Sequence, residues 1–268
     1  MLSEIKVEYI NHCGDDLSVV DAARCSFDKQ SKWEYPVDIK EFMDIPSDDD
    51  YQSWPENNGF KLVGGTYRRL KSADEKLIKY LANHKHYSPF NHSFISVRVK
   101  APVFVARQLV KHKFMPWNEV SRRYVQSDVE FYTPESWRKA AVNVKQGSSK
   151  DETVSLDIID TLTNDEGNCI YRPEEVNKAA FETYNTLLDL GVCAEEARMV
   201  LPQSTMTTWI WSGTLGAFCD MLILRLDEHT QLESRIVAYE IYDIVKELFP
   251  VSVKALVGEV NGDPRTRK

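Results

Sequence analysis

The clearest periodic signal lies near the middle of the chain. Ile95, Val97 and Val99 alternate with Ser96, Arg98 and Lys100, the period of a strand with one buried face. Ile5–Ile10 reads as an opening strand. Leu17–Ser26 reads as a short helix, with Asp15 or Asp16 as its cap. Ser72-Ala73-Asp74-Glu75 has capping-box spacing, and the apolar period of EKLIKYLANH continues it as a helix that Pro89 ends. Pro102 suits a first helical position and predicts a helix from Val103 to about Phe114, closed before Pro116. Pro116–Arg123 reads as a loop folding back over that helix, and Val129–Pro134 as a short strand. Glu174–Leu190 is an amphipathic helix ending at Gly191, and Ala194–Leu201 a short helix ending at Pro202. Thr214–Arg225 and Thr230–Leu248 complete the helices, with Pro250 stopping the last and a frayed tail following.

Two stretches lack a period. Residues 28–70 are rich in Asp, Ser, Pro, Gly and aromatics; residues 138–172 are polar, with room for one helix. Loops of this length are read as insertions. The elements flanking each can share a core, so we expect one helix-rich α+β domain over residues 1–268.

Composition narrows the function. At 268 residues and 43% hydrophobic content the chain can bury a sizeable core, and its net charge of −8 argues against a broad nucleic-acid surface. No apolar run reaches the roughly 18 residues of a membrane span, and the N-terminus lacks a signal-peptide core. Five scattered cysteines without C-x-x-C indicate neither a disulfide framework nor a cysteine zinc site, and fit a reducing cytoplasm. The glycine fingerprints of dinucleotide and P-loop cradles are missing, as is G-x-S-x-G.

Against this acidic background, Arg107–Tyr124 stands out. Five cations (Arg107, Lys111, Lys113, Arg122, Arg123) face one carboxylate, Glu119, leaving a local charge of +4 with His112 neutral. A solvated helix face is the ordinary reading of such a cluster. Here Phe104, Val105, Leu109, Val110, Phe114, Met115 and Trp117 interleave with the charges, which implies partial burial and hence a partner for the charge. His84, His86 and His92 have no nearby Cys, Asp or Glu to complete a metal site, so no metal is expected. No cysteine has an activating neighbour beyond Arg24 beside Cys25. Ser121, between Glu119 and Arg123, suits a hydrogen-bond donor to an anion better than a nucleophile with His112 as its base. Arg225, among Leu222, Leu224 and Leu226, either snorkels or pairs, with Asp227 or Glu228 as the local candidates.

Taken together the motifs resemble those of the flavin-dependent thymidylate synthases. Lys111–Arg123 is similar to the R-H-R-(seven residues)-S-x-R signature of that family, with lysine at both arginine positions. Ala22–Asp28, His86–His92, Lys100–Gln108, Glu130–Pro134, Glu195–Pro202 and Leu224–Glu233 resemble its other motifs, in order. The resemblance implies a helix-rich α+β fold with a small, mainly antiparallel sheet, assembled as a homotetramer with active sites at subunit interfaces. It implies reductive methylation of dUMP to dTMP without a cysteine nucleophile. Methylenetetrahydrofolate would donate the carbon, and FAD reduced by NADPH the hydride. It assigns dUMP binding to Gln108, Lys111, Glu119, Val120, Ser121, Arg122, Arg123, Arg198 and Arg225. It assigns FAD binding to His86, Ser88, Lys111, His112, Lys113, Glu119, Thr214, Leu215, Gly216 and Asp220. Arg225 matches the arginine that polarises the uracil, a role its basicity confines to electrostatics.

The chain departs from the family at several points. Lys111 and Lys113 keep charge but lose the planar fork of arginine. Thr214 stands where Asn or Ser is usual, Gly216 where an arginine often contacts the flavin, and Asp220 replaces a neutral or basic residue. These departures motivate one rival on the same scaffold, a non-catalytic nucleotide- or flavin-binding homologue; a second rival, a flavin- and folate-dependent dUMP hydroxymethylase, shares the same motifs.

Overall fold

The computed structural model describes residues 4–36, 60–63, 66–142, 147–163, 167–260 and 262–266. In chain order its principal elements are β1 (Lys6–Cys13), α1 (Asp16–Arg24), β2 (Lys61–Val63), β3 (Thr66–Arg68) and α2 (Ser72–Asn83). Then come β4 (Phe94–Pro102), α3 (Val103–Leu109), β5 (Trp117–Glu119), β6 (Trp137–Ala140), β7 (Ser148–Val154), α4 (Pro173–Asp189) and α5 (Ala194–Ala197). The chain ends with β8 (Met206–Thr214), α6 (Leu215–Arg225), α7 (Leu232–Leu248) and α8 (Pro250–Leu256). This is the helix-rich α+β class expected.

An antiparallel sheet in the order β1-β4-β8-β5 organises the molecule. β4 and β8 pair without interruption from Phe94↔Thr214 to Pro102↔Met206. Alternation then sends Ile95, Val97, Val99, Trp209 and Trp211 into a core with Leu215, Phe218, Leu222, Val237, Ala238 and Ile241 of α6 and α7. Each Val, Leu, Ile or Phe of this set contributes about 1.5–3 kcal/mol by leaving water. Because β4 and β8 run in opposite directions and each leads directly into a helix, α3 and α6 leave from opposite ends of the pair.

Several local expectations gave way to tertiary contacts. β8 was not foreseen, although it is the central partner of both β4 and β5. The capping box at Ser72 does not form: Lys71 occupies the cap position without a side-chain bond, while Asp74 is buried against Arg24 and Ser31. Pro89 does not end α2, which stops at Asn83; it sits in a 3-10 turn, Ser88–Asn91. Pro102 is the last residue of β4, and α3 ends at Leu109 rather than near Phe114, whose positive φ of 60° reverses the chain into β5. The expected strand Val129–Pro134 is reduced to one bridge, Phe131↔Thr205.

Both aperiodic stretches contain ordered pairing. The first holds the β2–β3 hairpin; residues 37–59 within it lie outside the described residues. The second holds the β6–β7 hairpin and a 3-10 turn, Asp157–Thr161, in place of a helix. Pro250 opens α8 rather than closing the chain: Asp16 accepts from the N–H groups of Val251 and Ser252, both at 2.9 Å. The tail docks as well, with Pro264 buried and Arg265 paired to Asp243 and Asp263.

Candidate active site

Arg225 lies in the last turn of α6, the basic residue at a helix C-terminus. It reaches across to the segment leaving α3. Its Nε donates to Nε2 of His112 at 2.9 Å and its Nη2 donates to the Gln108 carbonyl at 3.1 Å. For Nε2 to accept, the imidazole must be neutral with its proton on Nδ1. Burial, and then the adjacent Arg225, hold the His112 pKa down to about 4. Burial also lowers the pKa of Arg225. Neither Asp227 nor Glu228 pairs with Arg225 in this arrangement. The Gln108 carboxamide is fixed too: it donates to Gln231 and accepts from Ser234 Oγ at 3.0 Å. A cavity of about 800 Å³ opens here, lined among others by Gln108, Arg138, Ser148, Arg225, Asp227 and Gln231.

The signature continues along β5. Trp117 stacks on Trp209 with ring centroids 4.3 Å apart, which anchors this short edge strand. Glu119 is held by Thr207 Oγ1 at 2.8 Å and by Trp117 Nε1 at 3.1 Å. The Val120 N–H donates to the Thr208 carbonyl at 2.9 Å. Ser121 Oγ accepts from the backbone N–H and Nε of Arg123, at 3.3 and 3.2 Å. Arg123 is exposed, and among the described residues its two terminal nitrogens make no hydrogen bond. Arg122 behaves differently: its guanidinium closes a turn on the carbonyls of Ser127 and Asp128, at 2.7 and 3.2 Å. Arg198 is exposed beyond one bond from Nε to the Glu195 carbonyl at 3.2 Å. Lys111 and Lys113 are exposed, and among the described residues neither forms an ion pair.

A second cluster surrounds the start of α6. Thr214 Oγ1 accepts from the Ala217 N–H at 3.2 Å and donates to Asn91 Oδ1 at 2.8 Å. Asn91 occupies the space that a side chain at position 216 would use: a Cβ on Gly216 would lie 2.5 Å from Asn91 Oδ1. Leu215 is fully buried, and its N–H donates to the Ser93 carbonyl at 2.9 Å. Asp220 is exposed at its residue level, yet partial desolvation raises its carboxyl pKa. Ser88 and His86 are exposed on the turn before β4, His86 edge-on to Tyr80 at 6.0 Å. Cys219 is buried, and burial pushes its thiol well above the ordinary range, which keeps it protonated and unreactive. The other four cysteines are exposed and free. No group of three or more His, Cys, Asp or Glu among the described residues could hold a metal.

Contacts therefore unite Gln108, His112 and Arg225 in one cluster, and Asn91, Thr214 and Gly216 in another. No hydrogen bond among the described residues links Ser121, Arg123 or Arg198 to either. Sequence reasoning missed Asn91 and Arg138. Asn91 stands in the HYSPFNH motif, which could have flagged it; Arg138 lies at the edge of an aperiodic stretch, and nothing local marks it.

The antiparallel sheet and the two strand-to-helix passages define an α+β protein whose cavity beside α6 is bordered by two guanidinium groups, Arg138 and Arg225. The chain belongs to the family described as thymidylate synthase complementing protein (Thy1), whose model matches residues 8–251. A relative from Thermosipho africanus, named flavin-dependent thymidylate synthase, is 36% identical over 211 residues, covering 73% of this chain and 88% of that protein. One of the same name from Thermus thermophilus is 33% identical over 246 residues, covering 92% and 73%. Among solved structures, a UMP/dUMP methylase, PolB from Streptomyces cacaoi, bound with 5-Br dUMP, aligns with a TM-score of 0.66 at 27% identity, covering 98% of both chains.

Proposed function

We propose that this chain is a flavin-dependent thymidylate synthase that methylates dUMP to dTMP, with methylenetetrahydrofolate as carbon donor and FAD, reduced by NADPH, as hydride source. The observation that carries the proposal is the contact of Arg225 with His112. It joins the centre of the signature to the arginine of the C-terminal motif, 113 residues later.

The residues present fit a flavin dinucleotide. Lys111 and Lys113 offer two ammonium groups with no ion pair among the described residues, suited to a pyrophosphate. Thr214, Gly216 and Asn91 form a locked small-residue corner at the start of α6. When bound, the reduced flavin supplies the hydride.

The remaining work falls to protein side chains. Attack by uracil C5 on the incoming carbon requires negative charge to gather toward N3 and O4 of the ring. Arg225, held by two bonds to His112 and Gln108, retains donor capacity on its terminal nitrogens for that charge. Neutral His112 fixes the guanidinium without competing for the anion. The outward forks of Arg123 and Arg198 suit the phosphate, and Ser121 orients Arg123 toward it. Following the family resemblance, we assign the active sites to subunit interfaces of a homotetramer. A cytoplasmic location suits these small, soluble substrates.

The test is direct. Purified protein supplied with dUMP, methylenetetrahydrofolate and NADPH should release tritium from C5-labelled dUMP and yield dTMP by mass spectrometry. A hydroxymethylated product, or no product from a flavin-loaded protein, would overturn the assignment.

A further inference from the structure

The β6–β7 hairpin stands apart from the four-stranded sheet, with its own pairing and a shift of register between Arg138 and Ala140. It nonetheless supplies a wall of the cavity that contains Arg225: Arg138, Gly147 and Ser148 line it alongside Gln108 and Gln231. What anchors the hairpin there is Arg138. Its Nη2 donates to both carboxylate oxygens of Glu233, at 2.8 and 2.9 Å, and the Tyr132 hydroxyl donates to Oε1 at 3.4 Å. Glu233 sits in the first turn of α7 with only 4% of its side chain exposed, so it requires a cation.

The form of that ion pair is informative. A guanidinium that served the carboxylate alone would turn a two-nitrogen edge to it, as paired forks do. Here one nitrogen makes both bonds. Nε and Nη1 make no hydrogen bond among the described residues, while Arg138 lines the cavity. Two guanidinium groups, Arg138 from the hairpin and Arg225 from α6, therefore border the same space.

We propose that Arg138 positions the nucleotide: the cavity beside Arg225 takes an anionic nucleotide, and the hairpin wall presents the unused edge of Arg138 to its oxygens. This rests on the assignment of dUMP as substrate. It adds a recognition element built by the aperiodic stretch between Arg138 and Tyr171, outside the motifs of the signature.

The experiment compares the flavin-loaded wild type with Arg138→Met and with the double variant Arg138→Met/Glu233→Met. The readouts are thermal midpoint, calorimetric binding of dUMP, and KM and kcat for dUMP. Arg138→Met alone strands a buried carboxylate and should lose stability. The double variant removes both charges and should recover the midpoint. If Arg138 only neutralises Glu233, dUMP affinity recovers with the midpoint, and the proposal is overturned. We expect instead that affinity stays weaker by roughly tenfold or more, the weight of a charge-assisted hydrogen bond, with kcat within about twofold of wild type. Should the double variant fail to fold, Arg138→Lys preserves the charge facing Glu233 but not the second edge; wild-type affinity in that variant would equally overturn the proposal. Wild-type turnover of dUMP to dTMP is scored separately, so a failure of the assigned reaction is distinguished from a failure of Arg138 to touch the nucleotide.

Discussion

Arg225 donates from Nε to Nε2 of His112 across 2.9 Å, while its Nη2 closes on the Gln108 carbonyl at 3.1 Å. The arginine is thereby aimed by a neutral acceptor and by the last turn of α3, with no carboxylate paired to it among the described residues. Replacing Arg225 with alanine should lower turnover by about 10²–10³-fold or more, the loss typical of one preorganised donor, while bound flavin is retained. Arg225→Lys should be nearly as defective, since an ammonium cannot hold His112 and Gln108 and still present a donor. Steady-state rates beside the flavin absorbance of the purified variants check this.

The same contact carries a pH dependence. His112 is held near pKa 4, below its ordinary 6.5. Between those values the unfolded chain binds a proton that the folded chain refuses. Its contribution is therefore whole above about pH 6.5 and is lost as the pH falls toward 4. On protonation Nε2 becomes a donor and the bond from Arg225 breaks. His112→Gln keeps a neutral acceptor and should flatten the acid limb of both thermal midpoint and kcat. A wild-type acid limb in that variant would remove His112 from the account.

Gly216 is explained by Asn91. A Cβ at position 216 would meet Asn91 Oδ1 at 2.5 Å, and that oxygen is already committed to Thr214. Gly216→Ala should cost about 0.5–1.5 kcal/mol, the worth of the displaced hydrogen bond. Asn91→Ala/Gly216→Ala should be less destabilised than the two single variants summed. Chemical denaturation of the four proteins measures the coupling.

Lys111 and Lys113 are exposed and, among the described residues, without ion pairs, so arginine can replace either without breaking an ion pair there. Both Lys→Arg variants should bind flavin as tightly as wild type or more tightly, by fluorescence titration. A large loss would mean that the site is shaped around the smaller ammonium.

The motifs to which we assign the chemistry were legible because each is local: KHK, HYSPFNH and the arginine of LILR can be read within a few residues. The strand alternation of β4 was equally plain. β8 was harder, because its buried face carries Thr207 and Gly213 beside Trp209 and Trp211 while Ile210 sits on the exposed face, so residue type does not follow the alternation of burial. The false capping box at Ser72 shows the opposite error: the local spacing was right, but the helix begins one residue earlier, with Lys71 at the cap and Ser72 already inside the first turn. Asn91 and Arg138 act through partners 123 and 95 residues distant, which no window along the chain contains.

The most direct test of the central claim is the product formed from dUMP. Incubated with methylenetetrahydrofolate and NADPH, the flavin-loaded protein should convert C5-tritiated dUMP to dTMP with release of the label, and Arg225→Ala should not. Unchanged turnover in Arg225→Ala, or a hydroxymethylated nucleotide from the wild type, would contradict it.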